Sequence, residues 1–144
     1  MDEVVVGVDG SAAADAALRF AADEARAHGC RLVVVHAWSM PVPVSGMYTP
    51  PRVADPGELE GVAKEVVSAS LDRVLGGEEK RDIAVEAVVV EGQAAGVLVE
   101  RAAGARELVV GSRGRGGFAG LLLGSISQQC THHARCPVVI VPSS

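Results

Sequence analysis

The stretch GSRGRGGFAGLLLGS, residues 111–125, carries six glycines and two arginines and follows directly on the apolar run ELVV. Glycines after a strand let consecutive backbone N–H groups turn toward one point, and they let an anion approach with no side chain in the way. Gly124-Ser125, in front of a helical pattern, adds the unpaired N–H groups and partial positive charge of a helix start. The Ser125 hydroxyl is a further donor, and a guanidinium such as that of Arg113 or Arg115 can hold two phosphate oxygens at once. These residue types point to a phosphate-bearing ligand. The charge distribution agrees: no Asp or Glu follows Glu107, so residues 108–144 sum to +3 while the preceding part sums to −8. The chain as a whole, at −5, is a poor general partner for nucleic acid, yet its acid-free segment can receive a small anion.

The elements that must position this segment are legible in the apolar pattern. Five runs read as strands: EVVVGVD (3–9), RLVVVHAW (31–38), AVEAVVV (84–90), ELVVG (107–111) and PVVIV (137–141). Four are apolar without alternation, as strands buried on both faces are, and the third alternates at its start, as an edge strand does. Between the first two, Ala14, Ala17, Leu18, Ala21, Ala22 and Ala25 recur at helical spacing, with Ser11 to cap the start and Gly29 the end. Asp55-Pro56 opens a second helix, Glu58 gives it the capping-box spacing, and Leu59, Val62, Ala63, Val66, Val67, Leu71, Val74 and Leu75 form its apolar face. A third helix is expected over 93–103, stopped by Gly104, and a fourth from Ser125. The order β-α-β-α-β-α-β-α-β with right-handed crossovers predicts a three-layer α/β/α fold with an open five-stranded parallel sheet in one domain spanning 1–144, and the strand order is taken as 3-2-1-4-5. The stretch SMPVPVSGMYTPPRVA, 39–54, contains four prolines that forbid helix and reads as a lid or an irregular excursion.

In such a sheet the ligand crevice lies outside the carboxyl ends of the strands, where strand order reverses. The residues delivered there are Asp9-Gly10-Ser11 and Gly111-Ser112-Arg113-Gly114. A Walker A loop is excluded because the chain has no Gly-Lys, and the partial dinucleotide fingerprint at Gly114, Gly116 and Ala119 lacks the acidic residue that should hold a ribose downstream. What fits is Gly111, Gly114 and Gly124-Ser125 in the spacing G-x(2)-G-x(9)-G-S. This pattern resembles the nucleotide-binding signature of the ATP-binding branch of the universal stress protein family, and VVVGVDGS, LVVVHAW, LVVGSRGRGG and CPVVIVP resemble that family along the rest of the chain.

The resemblance implies a Rossmann-like fold and bound ATP, accompanied by magnesium for which no carboxylate cluster marks a protein site. It implies that Asp9 contacts the nucleoside, that the backbone of Ala37 reads the adenine edge, and that Ile126 contributes a backbone contact beside Gly124 and Ser125. Gly7 keeps the wall beneath the ligand flat or else packs against a helix; Ser112, Arg113 and Arg115 stand near the phosphates, each arginine reading equally as a solvated loop cation. It further implies a nucleotide-dependent stress or signalling module with at most weak hydrolysis. A slow ATPase and a nucleotide-free interaction protein of the same fold are the alternatives.

Other chemistry is poorly supported. RGRGG is one short piece in an acidic chain, unlike the long repeated tracts that bind RNA. Cys130, His132, His133 and Cys136 include no CxxC pair, and small buried cysteines with histidines at a helix end account for them. His36 reads as a satisfied core histidine, and no G-x-S-x-G elbow is present. An acidic N-terminus and an interrupted VVVGV run argue against an export leader, no run is long enough to span a bilayer, and three cysteines argue against a disulfide framework, so a cytoplasmic protein is expected. The last strand is apolar and lies at the sheet edge, which predicts a twofold homodimer through Pro137–Pro142.

Overall fold

The valine-rich runs pair side by side in the order the sequence predicts. In a computed structural model of the chain, which describes residues 2–40, 55–113 and 123–143, β1 (Glu3–Gly7), β2 (Arg31–Trp38), β3 (Val85–Glu91), β4 (Glu107–Gly111) and β5 (Val138–Val141) form one sheet of order β3-β2-β1-β4-β5. Every pairing is parallel: Val5 lies opposite Val33 and Leu108, and Ala37 opposite Val90. Helices α1 (Ala12–His28), α2 (Pro56–Leu75), α3 (Ala94–Arg101) and α4 (Ser125–His133) cover both faces.

Successive strand residues point to opposite faces. Val4, Val6, Leu32, Val34 and Val109 therefore join the core on the α1 and α2 side, while Val5, Val33, Val35, Leu108 and Val110 join the core on the α3 and α4 side. The unbroken valine runs follow from this, since both sets must be apolar. Small side chains on the inner face of α1, from Ala13 to Ala25, bring that helix close to the strands. Ser11 caps it by accepting a hydrogen bond from the Ala14 amide at 3.2 Å, and Gly29 ends it in the left-handed region, at φ 66°.

Element ends differ from the sequence expectation where a side chain or a turn intervenes. β1 stops at Gly7 rather than at residue 9, because Gly10 at φ 83° turns the chain toward α1. β3 is shifted one residue later and α3 ends at Arg101, with Gly104 at φ 81° completing the exit. Asp55 caps α2 through the Gly57 amide, and a short 3-10 helix, Glu78–Lys80, follows it. The expected apolar face of α2 is narrower than its pattern suggests: Ala63, Val67 and Leu71 are buried, whereas Val62 is 56% exposed. The expectation of a lid at 39–54 falls mostly on residues outside those described.

Two contacts fix the ends of the central strands. At the amino ends, the Glu3 carboxylate accepts from Arg101 at 2.9 Å and from Arg31, and both arginines also reach Glu86. Bonding to Arg101, and next to Arg31, holds the Glu3 carboxyl below its ordinary value of 4.5. At the carboxyl end of β4, the first turn of α1 lies on Gly111 so closely that a Cβ there would sit 3.0 Å from the Ala13 carbonyl oxygen. Gly111→Ala is expected to destabilise the fold by about 1–3 kcal/mol, read as a lowered urea midpoint, because backbone rather than a flexible side chain must move. Because the Glu3 carboxyl is lowered, its stabilisation is full above 4.5 and is lost as pH falls through the lower folded-state value. Glu3→Gln is therefore expected to be less stable than the parent chain at neutral pH, with the gap in urea midpoints closing as the solution is acidified.

Candidate functional site

The chain leaves β1 for α1 on one face of the sheet and leaves β4 for α4 on the other, so the two strands part at their carboxyl ends. A cavity of about 220 Å³ occupies that switch point, and Gly7, Asp9, Ala37, Gly111, Arg113 and Ile126 line it. The structure thus brings six of the sequence-expected site residues together around one space. Leu98 and Val110 give it apolar walls, and His36 stands beside Ala37. A larger groove, about 730 Å³, lies between α2 and the outer part of the sheet, away from the strand ends. Two of its charges already neutralise each other, Arg81 lying 3.2 Å from Asp72.

The β1 side is a tight turn held from two directions. Asp9 Oδ1 accepts from the Ser11 amide at 2.9 Å, the local pairing by which an aspartate closes a turn, and left-handed Gly10 makes it possible. This places the Asp9 carboxylate at the positive end of α1. Beneath it, the Val8 amide donates to the Val35 carbonyl at 2.9 Å, and His36 Nδ1 lies 2.7 Å from the Val8 carbonyl oxygen. A carbonyl only accepts, so Nδ1 carries the proton and the imidazole is fixed in that tautomer. His36 is accordingly a satisfied histidine, but its partner is the peptide that leads into Asp9.

The β4 side divides the glycine-rich stretch by role. Gly111 is an ordinary strand residue; glycine is needed there for the approach of Ala13 and not for a left-handed nest. Gly7 is similarly crowded, since a Cβ would meet Leu98 Cδ1 at 2.8 Å, so the helix-packing explanation holds while the residue also lines the cavity. Ser112 is buried, and its hydroxyl accepts from the Ser143 amide at 3.3 Å rather than lining the cavity with its neighbours. Gly124 caps α4 in extended conformation, at φ −71°, and donates its amide to the Ser112 carbonyl at 2.6 Å. Ser125 is the first helical residue, its Oγ accepting from Gln129 at 3.2 Å; neither Gly124 nor Ser125 is part of the lining. Gly114 and Arg115 lie outside the described residues.

Three contributors are not obvious from the pattern. Gly10 supplies the turn, His36 ties β1 to β2 at the rim, and buried Ser127 donates from Oγ to the Gly111 carbonyl, tying α4 to the end of β4. The signals for them are faint: Asp-Gly is a turn dipeptide, and Ser127 is the one polar residue on the inward face of α4. Among the described residues no group of three or more His, Cys, Asp or Glu could hold a metal ion. Cys130 is fully buried, and desolvation pushes its thiol up to about 11, which leaves it a packing residue.

Comparison with known proteins agrees with this architecture. Universal stress protein Rv2005c of Mycobacterium tuberculosis is 41% identical over 143 residues, covering 98% of this chain and 45% of the relative. The chain thus spans less than half the length of the curated relatives it matches. Among solved structures, a universal stress protein in complex with cAMP superposes with a TM-score of 0.72 at 28% identity, covering 99% of this chain and 98% of the other. The universal stress protein from Archaeoglobus fulgidus in complex with dAMP gives 0.67 at 26% identity, covering 97% of each. The model of the universal stress protein family matches residues 1–142. With that match and the relatives' identity across almost the whole chain, the protein belongs to the universal stress protein family.

Proposed function

We propose that this chain binds ATP, with magnesium on the nucleotide, and acts as a nucleotide-dependent stress or signalling module, folded as one domain over 1–144 in the cytoplasm and paired as a homodimer. The observation that carries the nucleotide reading is the cavity at the switch point, where Asp9, Ala37, Gly111, Arg113 and Ile126 converge. Two structural neighbours above a quarter identity are complexes with cAMP and dAMP, which supports an adenine nucleotide as the ligand class.

On this reading the nucleoside lies over Gly7 and Leu98, with the Asp9 carboxylate and the Ala37 backbone as its polar partners. Arg113 leads toward Gly114, Arg115, Gly124 and Ser125, where the phosphates are placed by the G-x(2)-G-x(9)-G-S spacing. Arg113 lines the cavity and forms no ion pair with a described residue. Magnesium would supply charge neutralisation on the phosphates, while this chain's own residues bind and orient the nucleotide.

The dimer reading rests on β5, an edge strand whose four residues are all half-buried. An apolar edge of this kind is completed by a second strand, and residues 137–142 of a twofold mate provide one.

Calorimetry of the purified chain with magnesium-ATP is expected to show one site per chain. Loss of a charge-assisted hydrogen bond should weaken binding about tenfold or more in Asp9→Ala, and Gly114→Val should abolish it by obstructing the anion. Unchanged affinity in both folded variants would remove the site from this position. Light scattering is expected to show a dimer that Ile140→Lys converts to monomers; a circular dichroism spectrum like the parent's confirms folding, and a retained dimer mass rules out the β5 interface.

A further inference from the structure

Ser112 lies between two residues that line the cavity, Gly111 and Arg113, but its own side chain leaves on the other side, as alternation along an extended chain requires. It is buried, and each of its polar groups is committed. The amide donates to the Val141 carbonyl at 2.8 Å, the hydroxyl accepts from the Ser143 amide at 3.3 Å, and the carbonyl accepts from the Gly124 amide at 2.6 Å. The first two bonds reach the last residue of edge strand β5 and the chain leaving it. The third holds the residue that opens α4. Ser127 doubles that last link by donating to the Gly111 carbonyl.

We propose that Ser112 is a positioning residue that couples occupancy of the cavity to the order of the chain leaving β5, and that its hydroxyl is not a phosphate ligand. The coupling rests on the nucleotide reading of the cavity. A ligand held by Gly111, Arg113 and Ile126 narrows the motion of the end of β4 and the start of α4, and Ser112, between Gly111 and Arg113, is bonded to β5. Whatever restricts Ser112 restricts Val141 and Ser143, and by thermodynamic reciprocity a fixed β5 exit favours the occupied cavity. The family resemblance implies that Ser112 stands near the phosphates; the bond to Ser143 redirects it.

The test measures 15N order parameters of the Ser143 amide in the full chain, with and without saturating magnesium-ATP, beside calorimetry on the same samples. Ser112→Ala deletes the hydroxyl and keeps both backbone bonds. In the parent chain ATP is expected to raise the Ser143 order parameter toward the rigid value of about 0.85, whereas in Ser112→Ala it stays below about 0.6 with or without ATP. ATP affinity should change by less than about threefold, and Ser112→Thr, which restores a hydroxyl, should restore the response. A loss of affinity of about tenfold or more in a folded Ser112→Ala chain would make the hydroxyl a ligand and overturn the proposal. So would a parent chain that binds ATP with no change at Ser143. A parent chain that binds no adenine nucleotide refutes the nucleotide reading and the coupling together, while the ligand-free comparison of Ser143 in the two chains still decides whether the hydroxyl orders the β5 exit.

Discussion

The first turn of α1 rests on the last residue of β4 with room for a hydrogen and nothing larger. A Cβ on Gly111 would stand 3.0 Å from the Ala13 carbonyl oxygen and 3.3 Å from the Ala13 side chain. On the other face of the sheet the side-chain end of Leu98 of α3 lies on Gly7 of β1, where a Cβ would meet its Cδ1 at 2.8 Å. The two neighbouring central strands are thus pared down at their carboxyl ends, one from each side. Helices approach there more closely than a side chain would permit, and the glycines leave the crevice between the strand ends free of side chains from those two positions. Asp9 and Arg113 stand at its rim because they follow directly on β1 and β4, the strands these two contacts fix at their carboxyl ends.

Most of this was readable from the residue pattern, for physical reasons that differ by element. Strands buried on both faces must be apolar at every position, so β1, β2 and β4 announce themselves and their centrality together. The parallel sheet with helices on both faces follows from the helices alternating with the strands and from the handedness of the crossovers, whereas the order 3-2-1-4-5, which locates the crevice, is not fixed by either. Ser11, Gly29 and Asp55 mark helix ends because unpaired backbone groups need particular side chains or a left-handed residue. The α2 face was overestimated because apolar spacing on a helix beside an edge strand records more surface than that strand can cover: Val62 fits the pattern and stays exposed.

What the pattern could not show is where individual side chains turn once the strands are in register. Gly111 and Gly7 look like phosphate-loop and wall glycines, yet the distances that require them are to a helix backbone and to a leucine. Ser112 sits in a ligand motif and faces away from the cavity, since one residue of an extended segment always points opposite to its two neighbours. His36 reads as core and lies at the rim, where it holds the peptide leading into Asp9. Each depends on pairing across strands far apart in sequence, such as Val8 against Val35 or Ser112 against Val141, which no local spacing encodes.

Charge is arranged to match. At the amino ends of the strands, Glu3 and Glu86 are paired with Arg31 and Arg101, which offsets those charges locally. At the carboxyl ends the chain presents a helix start, the acid-free segment after Glu107 and the guanidinium of Arg113, which forms no ion pair with a described residue. Parallel strands make this separation possible, because every strand begins at one end of the sheet and finishes at the other. A net charge of −5 therefore coexists with a rim that favours an anion. Arg113 of the acid-free segment stands where the strands part, lining the same cavity as Asp9.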